Sequence, residues 1–119
     1  MESKDAPRIT SEELKLLKDQ GNKVVLIDTR NNIAYNAEHI QGAINIYYDP
    51  SGYSMERELM LSSLPGDAVL VPYCDCEGDH TSAIIALELL DLRYDADKVK
   101  VLKDGILRWK ELGYPMEAA

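Results

Sequence analysis

The residues best suited to chemistry stand together in one short segment. Cys74 and Cys76 lie one residue apart, and His80 follows them. The thiolate is the reactive form of cysteine, and backbone N–H groups and a helix N-terminus both favour a negative charge. An apolar run ends at Tyr73 and a helical pattern starts near Thr81, so the thiol of Cys74 is expected to face both kinds of group. The spacing therefore predicts that Cys74 is a nucleophile.

A strand–loop–helix unit is needed to position this thiol. Residues 68–73 are short and apolar, as is typical of a central parallel strand. The following helix is expected to run to Leu92, and either Thr81 or Ser82 has a side chain that can cap its first turn. The helix is mostly apolar, which predicts that it packs against the sheet.

Strands and helices alternate along the rest of the chain. Thr10 and Glu13 form a capping-box pattern that begins the first helix. In a short helix expected over residues 56–62, Leu59 and Met60 are predicted to face inward. The other predicted strands cover residues 24–28, 43–46 and 98–102, a loop is predicted over residues 47–54, and a last helix follows Gly105.

This alternation predicts an α/β fold in a single domain. A central parallel sheet of about five strands should be covered by helices on both faces. We expect residues 1–8 to be flexible and residues 9–117 to form the domain. In such sheets the ligand crevice lies beyond the carboxyl ends of the strands, where Asp28, Arg30 and Cys74 all fall.

Composition excludes several classes of protein. The 119 residues carry a formal charge of −8, which argues against nucleic acid as the main partner. No apolar run approaches the roughly 20 residues of a membrane span, and no secretory signal is recognisable. Two cysteines so close together do not indicate a secreted disulfide framework. We therefore expect a cytoplasmic protein without a membrane partner, as a monomer or weak dimer.

Several blocks of sequence resemble the rhodanese-like domain family. Residues 26–30 (LIDTR) are similar to its first signature, and residues 38–46 (EHIQGAINI) to its second, with Gln where Pro is usual. Residues 71–74 (VPYC) resemble the strand that ends in the catalytic cysteine. Residues 101–110 and 113–115 resemble the closing pattern, in which Asp here replaces the first of two glycines.

The resemblance implies sulfur transfer through a persulfide of Cys74. The sulfur would come from thiosulfate or a persulfide and pass to cyanide or a thiol, including a protein thiol, without a cofactor. Asp28, Arg30 and Gly105 would support the site: the first two by fixing the surrounding loops, and Gly105 by letting a loop pass close to the cleft. The substrate-binding loop would consist of Asp75, Cys76, Glu77, Gly78, Asp79, His80, Thr81 and Ser82.

The loop departs from the usual Cys-x-x-Gly-x-Arg-Ser form. It is two residues longer, has no Arg or Lys, and carries three acidic residues. A helix N-terminus offers about half a positive charge, which these carboxylates can offset. We therefore predict a less acidic thiol and a poor reaction with thiosulfate. The same departure supports an alternative, a regulatory or redox-sensing module without turnover. It disfavours a phosphatase, because that chemistry needs an arginine at the end of the loop.

Individual residues also have plainer interpretations. Cys74 can be a buried apolar residue, and Cys76 either resolves a persulfide or has no role. His80 either tunes the thiolate or is simply exposed. These three residues form one cluster, whereas a structural zinc site usually takes four ligands, so no metal site is predicted. His39 is expected to hold neighbouring backbone, and Trp109 to belong to the core.

Overall fold

The computed structural model describes residues 6–51, 54–75 and 77–119. The strands are β1 (Arg8–Ile9), β2 (Val24–Asp28), β3 (His39–Ile40), β4 (Ile44–Asn45), β5 (Val69–Tyr73), β6 (Val101–Leu102) and β7 (Met116–Glu117). The α-helices are α1 (Ser11–Asp19), α2 (Asn32–Ala37), α3 (Met55–Ser62), α4 (His80–Asp91) and α5 (Gly105–Glu111). Short 3₁₀ turns cover Glu77–Asp79 and Ala96–Lys98.

Strands β2 and β5 form the centre of a parallel sheet. They pair along their full length, from Val24 opposite Val69 to Asp28 opposite Tyr73. Strand β4 pairs in parallel with the other edge of β2. The carboxyl ends of β2 and β5 therefore lie side by side, and the segments that follow them share one edge of the sheet.

Two further strands extend the sheet beyond β5. A parallel bridge joins Leu70 to Val99, and the N–H of Lys100 donates to the carbonyl of Leu70 at 3.0 Å. The chain then enters β6, which pairs in parallel with β1. Parallel segments thus follow in the order β4-β2-β5-β6-β1, which confirms the predicted α/β architecture.

The helices cover both faces of this sheet. Successive strand residues point to opposite faces, so Ile27 and Leu70 join one core cluster, while Leu26 and Val71 join the other. The first cluster contains Leu61 of α3 together with Ile85 and Leu89 of α4. The second contains Leu14 of α1 together with Ile106 and Trp109 of α5.

The buried face of α3 differs from the prediction. Leu59 and Met60 are 65% and 41% exposed, and Arg57 and Leu61 are buried instead. The spacing of four residues places Arg57 and Leu61 on one face of the helix. Arg57 tolerates burial because Glu88 of α4 accepts two of its hydrogen bonds, each of 2.9 Å.

The N-terminal segment is ordered earlier than predicted. Residues 1–5 lie outside the described residues, but Ala6 is buried and Arg8 belongs to β1. The flexible segment expected over residues 1–8 therefore does not include residues 6–8.

Strands β3 and β7 form a small antiparallel pair that the sequence pattern did not predict. Within the described ranges, no helix has the length and apolar character needed to cross a bilayer.

Candidate active site

Cys74 lies directly after β5, with only 2% of its surface exposed. Its Sγ atom is 3.5 Å from the Oγ atom of Ser82, in the first turn of α4. The hydroxyl of Ser82 donates to the carbonyl of Asp79 at 3.1 Å. Since a hydroxyl has one hydrogen, the oxygen of Ser82 is left to accept from the thiol of Cys74. If the thiol ionises, the same hydroxyl has only to rotate in order to donate to the thiolate.

The backbone of Cys74 is held by the start of α5. Its carbonyl accepts a hydrogen bond of 3.1 Å from the N–H of Ile106. Gly105 has a positive φ of 53°, and a Cβ atom on it would lie 2.0 Å from the Cys74 oxygen. Only glycine allows two backbones to approach so closely in this conformation. Gly105 thus meets the peptide of the candidate nucleophile itself.

The loop after Cys74 ends in a left-handed turn. Gly78 and Asp79 have φ values of 74° and 59°, and α4 starts at the next residue. Asp79 occupies the N-cap position without a side-chain capping bond. The prediction that Thr81 or Ser82 caps this helix is therefore wrong, because both lie inside it. Cys76 lies outside the described residues, as does the side chain of Glu77, and their roles stay predictions.

Asp79 anchors this end of the loop through its side chain. Its Oδ2 atom accepts from the N–H of Asp104 at 3.2 Å and lies 3.4 Å from the Nε atom of Arg8. Its Oδ1 atom is buried and has no hydrogen-bond partner among the described residues. Burial raises the pKa of Asp79, although the Asp104 N–H and the Arg8 charge oppose this. The loop is thus tied to β1 and to the residue before Gly105.

Asp28 and Arg30 form a close pair at the end of β2. The guanidinium donates from Nε to Oδ1 at 3.0 Å and from Nη2 to Oδ2 at 2.7 Å. Nη2 also donates to the carbonyl of Glu38 at 2.6 Å. Burial alone would lower the pKa of Arg30, but hydrogen bonds and charge from Asp28 raise it overall. The geometry is that of the strand-end pair which the sequence analysis expected to fix the surrounding loops.

Tyr73 connects this pair to the strand that carries the cysteine. Its hydroxyl donates to Oδ2 of Asp28 at 2.9 Å and accepts from the N–H of Ile40 at 3.1 Å. Burial and the negative charge of Asp28 raise the pKa of Tyr73 far above its usual range. The phenol therefore stays protonated and serves as a fixed link between β2, β3 and β5.

An open cleft of about 430 Å³ lies over Cys74. Its walls are formed by residues from segments 29–34, 47–50 and 80–84, together with Cys74 and Asp75. His80 and Thr81 belong to this lining, and so do Tyr47 and Tyr48. Among the described residues that line the cleft, Arg30 is the one with a permanent positive charge, and Asp28 already holds it.

Some residues of the site were missed by the sequence analysis. Tyr47 and Tyr48 fall in the loop predicted over residues 47–54, of which Gly52 and Tyr53 lie outside the described residues. Two adjacent aromatic residues in a polar loop were the available signal. The sequence around Arg8 gave no such signal, because its salt-bridge partner Asp79 lies more than half of the chain length away.

His39 and the possible metal ligands need only brief description. Nδ1 of His39 is 2.8 Å from the carbonyl oxygen of Tyr35, and Nε2 is 3.1 Å from Oε2 of Glu117. These contacts give His39 the backbone-holding position that was expected, and it does not line the cleft. Over residues 6–51, 54–75 and 77–119, no group of three or more His, Cys, Asp or Glu side chains is arranged to hold a metal ion.

The arrangement of Cys74, its loop and the parallel sheet agrees with a comparison of sequences. Residues 10–112 match the family model of the rhodanese-like domain. The chain belongs to the rhodanese-like domain family. The match includes both the Asp28–Arg30 pair and the segment around Gly105, so it covers every residue that lines the cleft.

One curated relative of this rhodanese-like domain is a transcriptional regulator. An HTH-type transcriptional regulator of Mycobacterium tuberculosis is 36% identical over 110 residues, which are 92% of this chain. The matched region is 44% of the regulator, so the chain spans less than half the length of that relative.

Solved structures show the same fold. The rhodanese-like domain of the Alr3790 protein from Anabaena sp. is 25% identical, with a TM-score of 0.75, over 100% of this chain and 81% of that one. Thiosulfate sulfurtransferase from Pseudomonas aeruginosa is 20% identical, with a TM-score of 0.71, over 95% of this chain and 20% of that one. At this identity the second likeness concerns the fold alone.

Proposed function

We propose that this rhodanese-like domain is a sulfurtransferase that carries sulfur on Cys74. The observation that most supports the proposal is the seating of this residue. Its carbonyl is held by Ile106, its Sγ atom is next to the hydroxyl of Ser82, and Cys74 itself lines an open cleft. A merely apolar cysteine has no need of a hydroxyl partner or of a cleft.

The reaction needs no oxidant or reductant beyond its two substrates. The thiolate of Cys74 attacks the outer sulfur of a persulfide R–S–SH, the S–S bond of the donor breaks, and R–S⁻ leaves and takes up a proton. An acceptor thiolate then attacks the outer sulfur of the Cys74 persulfide and releases the Cys74 thiolate. The rotating hydroxyl of Ser82 donates to each anionic form of the sulfur as it arises.

Mass spectrometry of the intact protein tests the first half-reaction. After incubation with a sulfane donor, the protein should gain the mass of one sulfur atom. Cys74→Ser should abolish this gain, whereas the matched variant Cys76→Ser should keep it. Absence of any gain with thiosulfate and with several persulfides would refute the proposal.

A second candidate function is a regulatory module that senses reactive sulfur. Its support is the relationship to a transcriptional regulator, together with the acidic loop that lacks an arginine. Such a module would form the Cys74 persulfide but would not pass the sulfur on rapidly. Multiple turnovers with cyanide or a small thiol, dependent on Cys74, would exclude it in favour of the enzyme.

The proposal extends to the setting of the reaction. A small sulfur donor and a thiol acceptor, including a protein thiol, are the proposed partners, and a reducing cytoplasm is the proposed compartment. A monomer or weak dimer is the proposed state, and sedimentation at several protein concentrations would check it.

A further inference from the structure

We propose that the cleft over Cys74 selects small organic persulfides with a neutral or positively charged substituent, and that Asp75 and Tyr47 determine this selection. The inference rests on the proposed sulfur transfer and adds the class of the donor. It depends on two features of the cleft, its charge and its apolar wall.

The charges around the cleft disfavour an anionic donor. Arg30 already donates to both oxygens of Asp28 and to the carbonyl of Glu38. The exposed carboxylate of Asp75 also lines the cleft, and its charge acts on the same guanidinium. One cation thus stands against two carboxylates, and an incoming anion meets no positive side chain other than Arg30 among the described residues that line the cleft.

The apolar wall of the cleft suits an organic substituent. Tyr47 lines the cleft and is 45% exposed, so its ring is open to contact with a bound substituent. Pro50, Ala34 and Ile84 add apolar surface. The volume of about 430 Å³ is in the range of pockets for small organic molecules and exceeds the need of a five-atom inorganic anion.

Part of this wall is fixed before any ligand binds. The guanidinium of Arg57 lies over the ring of Tyr48, 5.1 Å from its centre, and is itself held by Glu88. The N–H of Tyr48 donates to the carbonyl of Thr29 at 3.1 Å. Because these side chains are already held in place, little conformational entropy is lost when a donor binds to their apolar surface.

In the reactive complex, the outer sulfur of the donor meets Cys74 and the substituent lies between Tyr47 and Asp75. The thiolate of Cys74 forms a bond to the outer sulfur, the donor S–S bond breaks, and the departing thiolate takes its proton from solvent. A substituent that carries an ammonium group gains from the charge of Asp75, whereas a carboxylate in the same place is repelled.

Three persulfides of similar size test the inference. They are made from cysteamine, 2-mercaptoethanol and 3-mercaptopropionate, and they differ in charge. Rates of sulfur loading on Cys74 are measured by mass spectrometry at low salt, with thiosulfate as a fourth donor. We expect the cationic persulfide to load roughly tenfold faster than the anionic one. Asp75→Asn should lower this ratio several-fold relative to the parent protein, and the intrinsic reactivity of each donor cancels in that comparison.

Two variants complete the design. Asp97→Asn removes an equal charge from an exposed position outside the cleft and should leave the ratio unchanged. Tyr47→Ala should raise the KM for all three persulfides more than it lowers kcat, without altering the response to thiosulfate. Equal ratios in the parent protein and Asp75→Asn, or loading by thiosulfate as fast as by the persulfides, would overturn the inference while leaving sulfur transfer intact. Failure of every donor to load Cys74 would instead overturn the proposed function.

Discussion

Gly105 and Cys74 are in direct backbone contact, although 31 positions separate them in the chain. A Cβ atom at position 105 would lie 2.0 Å from the Cys74 oxygen, far inside any normal contact distance. The next N–H, that of Ile106, donates to this same oxygen. The position of the thiol is therefore set by the start of α5 as much as by the strand that precedes it.

Replacing Gly105 should damage both stability and sulfur loading. In Gly105→Ala, the positive φ and the clash with backbone atoms combine, and we expect a loss of about 2–4 kcal/mol in the free energy of unfolding. Denaturant titration measures this loss. Gly66→Ala is the control, because its Cβ would contact nothing within 4 Å, and a change within about 0.5 kcal/mol is expected. Equal stability of the two variants would contradict the structural argument.

Removing the hydroxyl of Ser82 should make the thiol less reactive at neutral pH. The thiolate loses a donor that is 3.5 Å from Sγ in the structure, so the midpoint of the alkylation rate against pH should move upward in Ser82→Ala. Iodoacetamide labelling across pH checks this. Ser62→Ala, which removes an exposed hydroxyl, should leave the midpoint where it was. An unchanged midpoint in Ser82→Ala would show that the hydroxyl does not act on the sulfur.

The hydroxyl of Tyr73 should contribute measurably to stability. Tyr73→Phe leaves the N–H of Ile40 without its acceptor and Asp28 without one of its donors, both in buried surroundings. We expect a loss of roughly 1–3 kcal/mol, measured by urea unfolding. Tyr114→Phe removes a hydroxyl that has no hydrogen-bond partner among the residues the structure describes, and it should have little effect. A similar loss in both variants would point to a general effect of the phenol instead.

The buried carboxyl of Asp79 should make stability depend on pH. Burial raises its pKa in the folded protein, so the ionised form costs stability. That cost is absent below the pKa of the unfolded chain, about 3.9, and grows as pH rises through the folded pKa. Asp79→Asn, which keeps an oxygen for the Asp104 N–H, should therefore gain stability relative to the parent protein between about pH 4 and neutrality.

Unfolding in urea at several pH values measures the contribution of Asp79. Asp97→Asn removes an exposed carboxylate and provides the matched control. Its free energy of unfolding should differ from that of the parent protein by nearly the same amount at every pH. The stability gained in Asp79→Asn should instead grow as pH rises. If this gain is constant or shrinks, the salt bridge between Arg8 and Asp79 outweighs the cost of burial, and the argument fails.

Long patterned segments were predictable from sequence. Strands β2 and β5 are five-residue strands made mainly of apolar residues, and α1 begins with the reciprocal capping bonds expected from Thr10 and Glu13. The positions of Cys74 and the Asp28–Arg30 pair at the carboxyl ends of β5 and β2 followed from the predicted parallel strands. In each case the deciding information is local, within a few residues of the feature.

Features that depend on distant partners were not predictable in this way. The two-residue strands β1, β3 and β7 have no pattern of their own and exist because a partner strand lies beside them. The three apolar residues 59–61 leave the buried face of α3 ambiguous by one position. Glu88, on another helix, decides it by pairing with Arg57. The start of α4 likewise depends on the left-handed turn at Asp79, whose carboxylate is engaged by Asp104 rather than by its own helix.

Strand β1 pairs Arg8 with Val101, so it has to wait until the ribosome has synthesised all of the intervening chain. Until that moment the salt bridge from Arg8 to Asp79 lacks the strand pairing that positions it. The nascent polypeptide therefore presents its cysteine on a loop with one anchor missing. The loop that follows Cys74 is consequently completed only late in the biosynthesis of the domain.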